Sequence, residues 1–150
     1  MPLLGKYFSK EDLIKIRNAC SEAEKTTSGE IRVSILHKRN KEQKGLSIKE
    51  LAVEEFHDLH INETRDKTGI LIFIVLKERK FHILADEGIN QKVDPGTWDK
   101  QAEILTEHFK NKQYTDGIIK LIENMGQILS QYFPIKDDDT NELSDEVVIK

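Results

Sequence analysis

Acidic residues follow a predicted strand at a position where their side chains could handle a metal ion. The strand-like residues 81–85 are followed at once by Asp86, Glu87 and Gly88, with Asp94 a few residues later. Carboxylates from neighbouring loops suit a hard cation, and calcium best of all, because it accepts about six to eight oxygen ligands in flexible geometry. The alternative is that these acids are ordinary solvated turn residues and that Asp94 only caps a helix, since no D-x-D-x-D-G loop is present.

A second pattern of metal-binding residue types lies farther toward the N-terminus. Glu54, His57 and His60 spell E-x-x-H-x-x-H, and their spacing places them on one face of a helix. Di-iron helix bundles need the E-x-x-H motif twice, whereas this chain carries it once. A solvated helix face is the simpler interpretation. The remaining histidines are isolated and no serine lies in a nucleophile elbow, which argues against Ser-His-Asp and Cys-His enzymes.

Length and charge limit the classes of protein to consider. The chain has 150 residues, of which 37% are hydrophobic and 33% charged, as expected of one folded domain with a real core. The net charge of −4 comes from residues 136–150, because residues 1–135 carry 21 basic and 21 acidic residues. A neutral body offers no electrostatic footprint for DNA or RNA, so we predict no nucleic-acid partner.

The N-terminal residues and the single cysteine predict the cellular compartment. Residues 1–12 have neither the basic start nor the apolar run of a signal peptide. The longest apolar run, 70–76, is far shorter than the roughly 20 residues that a membrane-spanning helix needs. Cys20 cannot form an internal disulfide and is predicted to be a small core residue. We therefore expect a cytoplasmic protein without membrane insertion, with a monomer as the default state.

Hydrophobic periodicity and capping signals divide the chain into seven elements. Capping boxes begin at Ser9 and Ser47, and Asp94-Pro95 is a suitable helix start. Helical spacing of apolar residues predicts helices near 10–25, 47–60, 95–110 and 115–132. Alternating or unbroken apolar runs predict strands near 30–37, 69–76 and 80–85.

This order of elements predicts an α/β fold, a three-layer α/β/α sandwich around a small mixed sheet. The first two strands should be parallel because a helix crosses between them, and a charged turn should bring the third strand back antiparallel. The end of the third strand and the starts of the first two strands then lie at the same end of the sheet. We expect acidic side chains to converge there as a divalent-cation site: Glu30, Asp66, Asp86, Glu87 and Asp94.

Residues 1–134 are predicted to form one domain, followed by an acidic and flexible tail over 135–150. The tail ends in "EVVIK", a short stretch rich in β-branched residues that could dock as an edge strand.

Four segments together resemble the TPM domain family, which includes a thylakoid-lumen protein linked to photosystem II repair. "TSGEIRVSI" resembles the first strand of that family, and "DKTGILIFIVLKERKFHIL" its Gly-led strand, charged turn and returning strand. "ADEGINQKVDPGTWDKQ" stands at its acidic loop, and "FKNKQYTDGIIKLIENMGQIL" is similar to its last helix. The resemblance spans roughly residues 9–133, in the manner of a short, untethered bacterial branch of the family.

The resemblance implies a small domain that binds a divalent cation, calcium first and magnesium second, and acts as an accessory or interaction module. Some relatives are credited with acid phosphatase activity, so a metal-dependent phosphatase is an alternative, and a metal-free protein-interaction scaffold is another. The family's Gly-x-Gly-Leu-Glu loop is altered here to Asp86, Gly88, Ile89 and Asn90 at the matching positions. Catalytic residues are therefore not assigned.

Overall fold

A four-stranded mixed sheet forms the centre of the computed structural model, which describes residues 6–136 and 143–150. Its strands are β1 (Glu30–Leu36), β2 (Gly69–Val75), β3 (Lys80–Ala85) and β4 (Val148–Ile149), in the spatial order β3-β2-β1-β4. Strand β1 is parallel to β2 and β4, and β2 is antiparallel to β3. The predicted crossover and hairpin are both confirmed.

Helices cover both faces of this sheet. They are α1 (Lys10–Glu24), α2 (Ile48–Asp58), α3 (Glu87–Asn90), α4 (Pro95–Lys110) and α5 (Tyr114–Tyr132). Short 3₁₀ helices span Lys41–Gln43 and Ile61–Glu63. One core lies between the sheet and α1, α4 and α5, and a second, smaller core lies beneath α2. The predicted three-layer α/β/α sandwich is confirmed.

The two capping boxes form as the sequence predicts. The Ser9 hydroxyl accepts a hydrogen bond from the Asp12 N–H at 3.0 Å, and the Asp12 carboxylate accepts one from the Ser9 N–H at 2.9 Å. Ser47 and Glu50 repeat the arrangement at 3.0 and 3.1 Å. Each box satisfies backbone donors that have no partner within the helix, and it fixes where α1 and α2 begin.

Strand β2 is buried on both faces, which explains its unbroken apolar sequence. Ile70, Ile72 and Ile74 face the larger core, whereas Leu71 and Phe73 face the core beneath α2. A strand covered by helices on both sides needs apolar side chains at every position.

Besides the two 3₁₀ helices, one helical turn and one strand lie outside the seven predicted elements. A single helical turn, α3, forms within the segment 86–94 that we expected to be a loop, because the Asp86 carboxylate accepts from the Glu87 N–H at its start. Strand β4 is the edge strand that "EVVIK" allowed, and it pairs with Ser34 and Ile35 of β1. Within the described ranges, no helix combines the length and apolar character needed to cross a bilayer.

Candidate functional site

The turn after β3 packs directly against the loop that leads into β2. The Asp86 N–H donates to the Gly69 carbonyl oxygen at 2.9 Å. A Cβ atom on Gly88 would overlap the carbonyl oxygens of Asp66 and Lys67, so only glycine allows this approach. The sheet thus brings the segments of Asp66 and Asp86 together at one end, as the topology predicted.

The two oxygens of the Asp86 carboxylate have different surroundings. Oδ1 accepts from the Glu87 N–H at 2.8 Å and starts α3. Oδ2 is buried and accepts no hydrogen bond from the part of the chain that the structure describes. A carboxylate oxygen that has lost water without gaining a partner is unfavourable, so this atom is suited to receive a further positively charged or donor group.

The Asp66 carboxylate lies beside two cationic side chains. Lys136 Nζ is 3.1 Å from Asp66 Oδ2, and Arg65 Nη2 is 3.5 Å from the same oxygen. The hydrogen bond from Lys136 is the main reason why the pKa of Asp66 lies below its usual value, and the charges of Lys136 and Arg65 act in the same direction. This side chain therefore stays ionised over the whole neutral range.

The other three predicted site residues have separate surroundings. Glu87 is exposed at the first position of α3. Asp94 caps α4, with its Oδ1 accepting from the Gly96 N–H at 2.9 Å. Glu30 is only 5% exposed, and its Oε1 accepts from the Leu143 N–H at 2.8 Å. Within residues 6–136 and 143–150, no group of three or more His, Cys, Asp or Glu side chains stands ready-made to hold a metal ion.

A cavity of about 280 Å³ opens beside Asp66 and Lys136. Thr68, Gly88 and Lys92 contribute to its wall, together with the aromatic residues at the end of α5. Lys92 Nζ lies 5.1 Å from the centre of the Phe133 ring. This end of the sheet, which we call the acidic end, is therefore open to small solutes and combines the Asp66 carboxylate with the side chains of Lys92 and Lys136.

A second pair of acidic side chains lies at the edge of β1 that faces away from β2, where the sequence analysis did not predict one. Glu24 Oε2 accepts from the Ile31 N–H at 2.7 Å, and the Glu24 side chain shares a hydrogen bond with Asp145. Burial, and then this hydrogen bond, raises the pKa of Glu24 to about 9. At neutral pH the Glu24–Asp145 pair therefore holds a proton.

One sequence signal could have located Glu24. It follows Cys20 by four residues, on the stripe of α1 that carries the buried Ile16 and Cys20. An acid on a buried helical stripe needs a donor or a proton. No comparable sequence signal pointed to Asp145, which contacts Glu24, or to Lys136, which contacts Asp66. Both residues lie in the segment that was predicted to be a flexible tail.

The histidine motif on α2 forms an exposed helix face. Glu54, His57 and His60 are all exposed. His57 Nδ1 lies 2.9 Å from the Val53 carbonyl oxygen, and His60 Nδ1 lies 2.5 Å from Glu63 Oε2. These contacts are local to the helix and its end, so the simpler interpretation of the motif agrees with the structure.

Known proteins provide an independent comparison. A solved structure of the BA42 protein from Bizionia argentinensis is similar over 100% of both chains, with 31% sequence identity and a TM-score of 0.88. The N-terminal domain of a P. gingivalis protein shares the fold at 14% identity and a TM-score of 0.69, over 85% of this chain and 79% of that one. The N-terminal domain of cg2496 from Corynebacterium glutamicum does so at 10% identity and a TM-score of 0.64, over 96% and 82%. None of the curated proteins compared with the chain matches it.

The family comparison agrees with the motifs described above. The family profile described as the TPM domain matches residues 4–128, which include the four segments that carry the resemblance except for Leu129, the last residue of the fourth. With the fold and this match in agreement, the chain belongs to the TPM domain family.

Proposed function

We propose that the chain is a cytoplasmic accessory module that binds a divalent cation, calcium in preference to magnesium, at the acidic end of its sheet. The observation that carries the proposal is Asp86 Oδ2, which is buried and lacks a partner in the described part of the chain. A bound cation would compensate this oxygen for its lost hydration. Asp66, on the loop against Gly88, supplies a second carboxylate, whose pKa lies below its usual value because of the hydrogen bond from Lys136.

The five candidate ligands differ in how well their surroundings suit this role. Asp66 and Asp86 are the principal candidates, and Glu87 and Asp94 are nearby carboxylates with one or both oxygens open to further contacts. Glu30 suits the role least, because Leu143 already donates to it. A bound cation would link the segment that contains Asp66 to the segment that contains Asp86. This link would order the surface that another protein would contact.

Lys136 makes this proposal more specific. Its ammonium group lies 3.1 Å from Asp66 Oδ2, where a cation would also be attracted. A divalent ion must compete with this internal ammonium for Asp66. We therefore expect modest affinity, in the range of about 10⁻⁴ to 10⁻³ M that weak calcium modules have.

Calcium titration followed by ¹H–¹⁵N NMR tests the proposal. Millimolar calcium should shift the amide signals of residues 64–68 and 86–94. The double variant Asp86→Asn with Asp94→Asn should lose these shifts and keep the fold, because asparagine caps a helix as well as aspartate does. The matched control is Asp116→Asn, an exposed acid in the first turn of α5, which should respond as the wild type does.

Two results would overturn the proposal. Absence of amide shifts in the wild type at millimolar calcium would favour the metal-free interaction scaffold. Equal shifts in the wild type and the double variant would exclude these carboxylates as ligands.

An assay with p-nitrophenyl phosphate separates the accessory module from the phosphatase alternative. We expect no release of nitrophenol above the buffer blank, with or without calcium or magnesium. Metal-dependent turnover that disappears in Asp86→Asn and persists in Asp116→Asn would instead assign the acidic end to a phosphatase.

A further inference from the structure

The C-terminal residues 143–150 lie along the edge of β1 that faces away from β2. Strand β4 pairs there in parallel with β1 through two residue pairs, although β1 is seven residues long. The Lys150 N–H donates to the Ile35 carbonyl oxygen, and the His37 N–H donates to the Lys150 carbonyl oxygen, both at 2.9 Å. We call residues 143–150 the C-terminal strap.

Polar contacts hold the strap at both of its ends. Near its start, Arg17 Nη1 lies 3.2 Å from Glu146 Oε1, and the buried Arg32 donates to the Glu146 carbonyl oxygen at 3.5 Å. At its end, Lys150 Nζ lies 2.6 Å from Glu55 Oε1. The body of the protein thus presents cations at one end of the strap and an anion at the other.

Apolar contacts of the strap are shallow by comparison. Val147 and Ile149 pack on the larger core and Leu143 on the core beneath α2, but all three are only partly buried. A ladder of two residue pairs with half-buried side chains is a minor contribution beside the seven-residue pairing of β1 with β2. By backbone pairing, the strap is therefore the least extensively held strand of the sheet.

Separation of the strap would leave a sheet edge suited to recognition of another strand. The Ile35 carbonyl and the His37 N–H would lose their partners, and unpaired edge groups readily accept an extended segment. Glu55 would also lose its counter-charge. It is only 5% exposed and otherwise accepts from Ser34, so a buried anion at this edge requires a cation from the incoming strand.

We propose that the β1 edge is a strand-accepting site for an extended segment of another protein, and that the C-terminal strap occupies this site within the chain. The contacts define the chemistry of the partner. It binds parallel to β1 and carries an acidic residue facing Arg17, then three apolar β-branched residues, and then a lysine or arginine facing Glu55. The strap competes with this partner and so keeps the edge closed when no partner is present.

Fluorescence anisotropy with a labelled peptide of the strap sequence, "LSDEVVIK", tests this proposal on the full chain. Ile149→Asp should dislodge the strap, since Ile149 packs on the core. The Ile149→Asp protein should bind the peptide at least about tenfold more tightly than the wild type, whose own strap competes. The matched control Ile135→Asp changes an isoleucine that is 52% exposed and should behave as the wild type does.

Charge complementarity is tested with a second peptide. A peptide in which the lysine is replaced by glutamate should bind the Ile149→Asp protein about tenfold more weakly or worse, because it brings a negative charge to Glu55. Equal binding of both peptides, or equal binding by wild type, Ile149→Asp and Ile135→Asp, would overturn the proposal.

Hydrogen exchange of the wild type gives a test that does not depend on a variant. The amides of His37 and Lys150 should exchange together, and roughly 100-fold faster than the Ile72 amide in the central strand, because opening of the strap alone exposes them. Exchange of all three amides at one common rate would show that the strap opens only on global unfolding and would overturn the proposal. If the wild type instead forms a concentration-dependent dimer that Ile149→Asp abolishes, the β1 edge binds a second copy of the chain. That result would overturn the proposal that it binds a segment of another protein.

Discussion

Two acidic side chains at the same end of the sheet, Asp66 and Glu24, have opposite protonation. At the acidic end, Asp66 is partly exposed beside Lys136, and its pKa lies below the usual value. At the outer edge of β1, Glu24 is half-buried beside Asp145, and its pKa is raised to about 9. Exposure and a cation keep the first acid ionised, whereas burial and a neighbouring acid keep the second protonated.

This difference separates a binding role from a structural role. An ionised carboxylate at an open cavity, such as Asp66, can exchange one cation for another, as we propose for the acidic end. A protonated pair in a buried position acts as a hydrogen-bonded contact, and here it joins α1 to the C-terminal strap. The identity of the residue alone does not determine which role it takes.

Gly88→Ala should have the largest effect on the acidic end. A methyl group there overlaps the carbonyl oxygens of Asp66 and Lys67, and backbone atoms cannot move aside as a flexible side chain would. We expect a loss of about 2–3 kcal/mol in the free energy of unfolding, measured with urea. Gly45→Ala is the matched control, because a Cβ there has no atom within 4 Å. Equal stability of the two variants would show that the contact between residue 88 and the carbonyl oxygens of Asp66 and Lys67 does not require glycine.

Glu24→Gln should change the pH dependence of stability. The Glu24 carboxyl has an ordinary pKa of 4.5 and a folded-state pKa of about 9, so between these limits the folded chain holds one proton more than the unfolded chain. The free energy of unfolding therefore falls as pH rises through this window, by up to about 1.4 kcal/mol per unit. Glutamine keeps the acceptor for Ile31 and replaces the proton with an amide donor, so this slope should disappear.

Glu22→Gln is the control for that measurement. Glu22 is exposed in the same helix and pairs with the equally exposed Lys25 at 2.7 Å, so its replacement should leave the slope of stability against pH as in the wild type. Urea unfolding at several pH values between about 5 and 9 provides the data. Parallel curves for the wild type and Glu24→Gln would contradict a shared proton at the β1 edge.

Lys136→Met should have the smallest effect on stability and a specific effect on Asp66. Removal of the ammonium group should raise the pKa of Asp66 toward its ordinary value, because the hydrogen bond from Lys136 is the main cause of the depression. An NMR pH titration of the Asp66 carboxyl measures this. Calcium affinity should rise about threefold or more as the internal competitor is lost. Lys120→Met, on the exposed face of α5, should leave both quantities unchanged.

Local sequence signals predicted most of the fold, because the forces that start and bury each element act over short distances. Ser9 and Ser47 marked the beginnings of two helices, and the apolar run 70–76 marked the strand that is buried on both faces. The short helix α3 was missed because a single turn of helix has too few residues to show a period.

The sequence by itself determined the order of the elements, their direction in the sheet and the end at which Asp66 and Asp86 meet. Only the tertiary structure decided which hydrogen-bond donors contact the carboxylates of Asp66 and Glu30. Lys136 contacts Asp66 across 70 residues and Leu143 contacts Glu30 across 113, through a C-terminal segment whose composition resembles a solvated tail. Helix and strand patterns follow from local geometry, whereas the protonation of a carboxylate depends on burial and on neighbours that only the folded chain brings near.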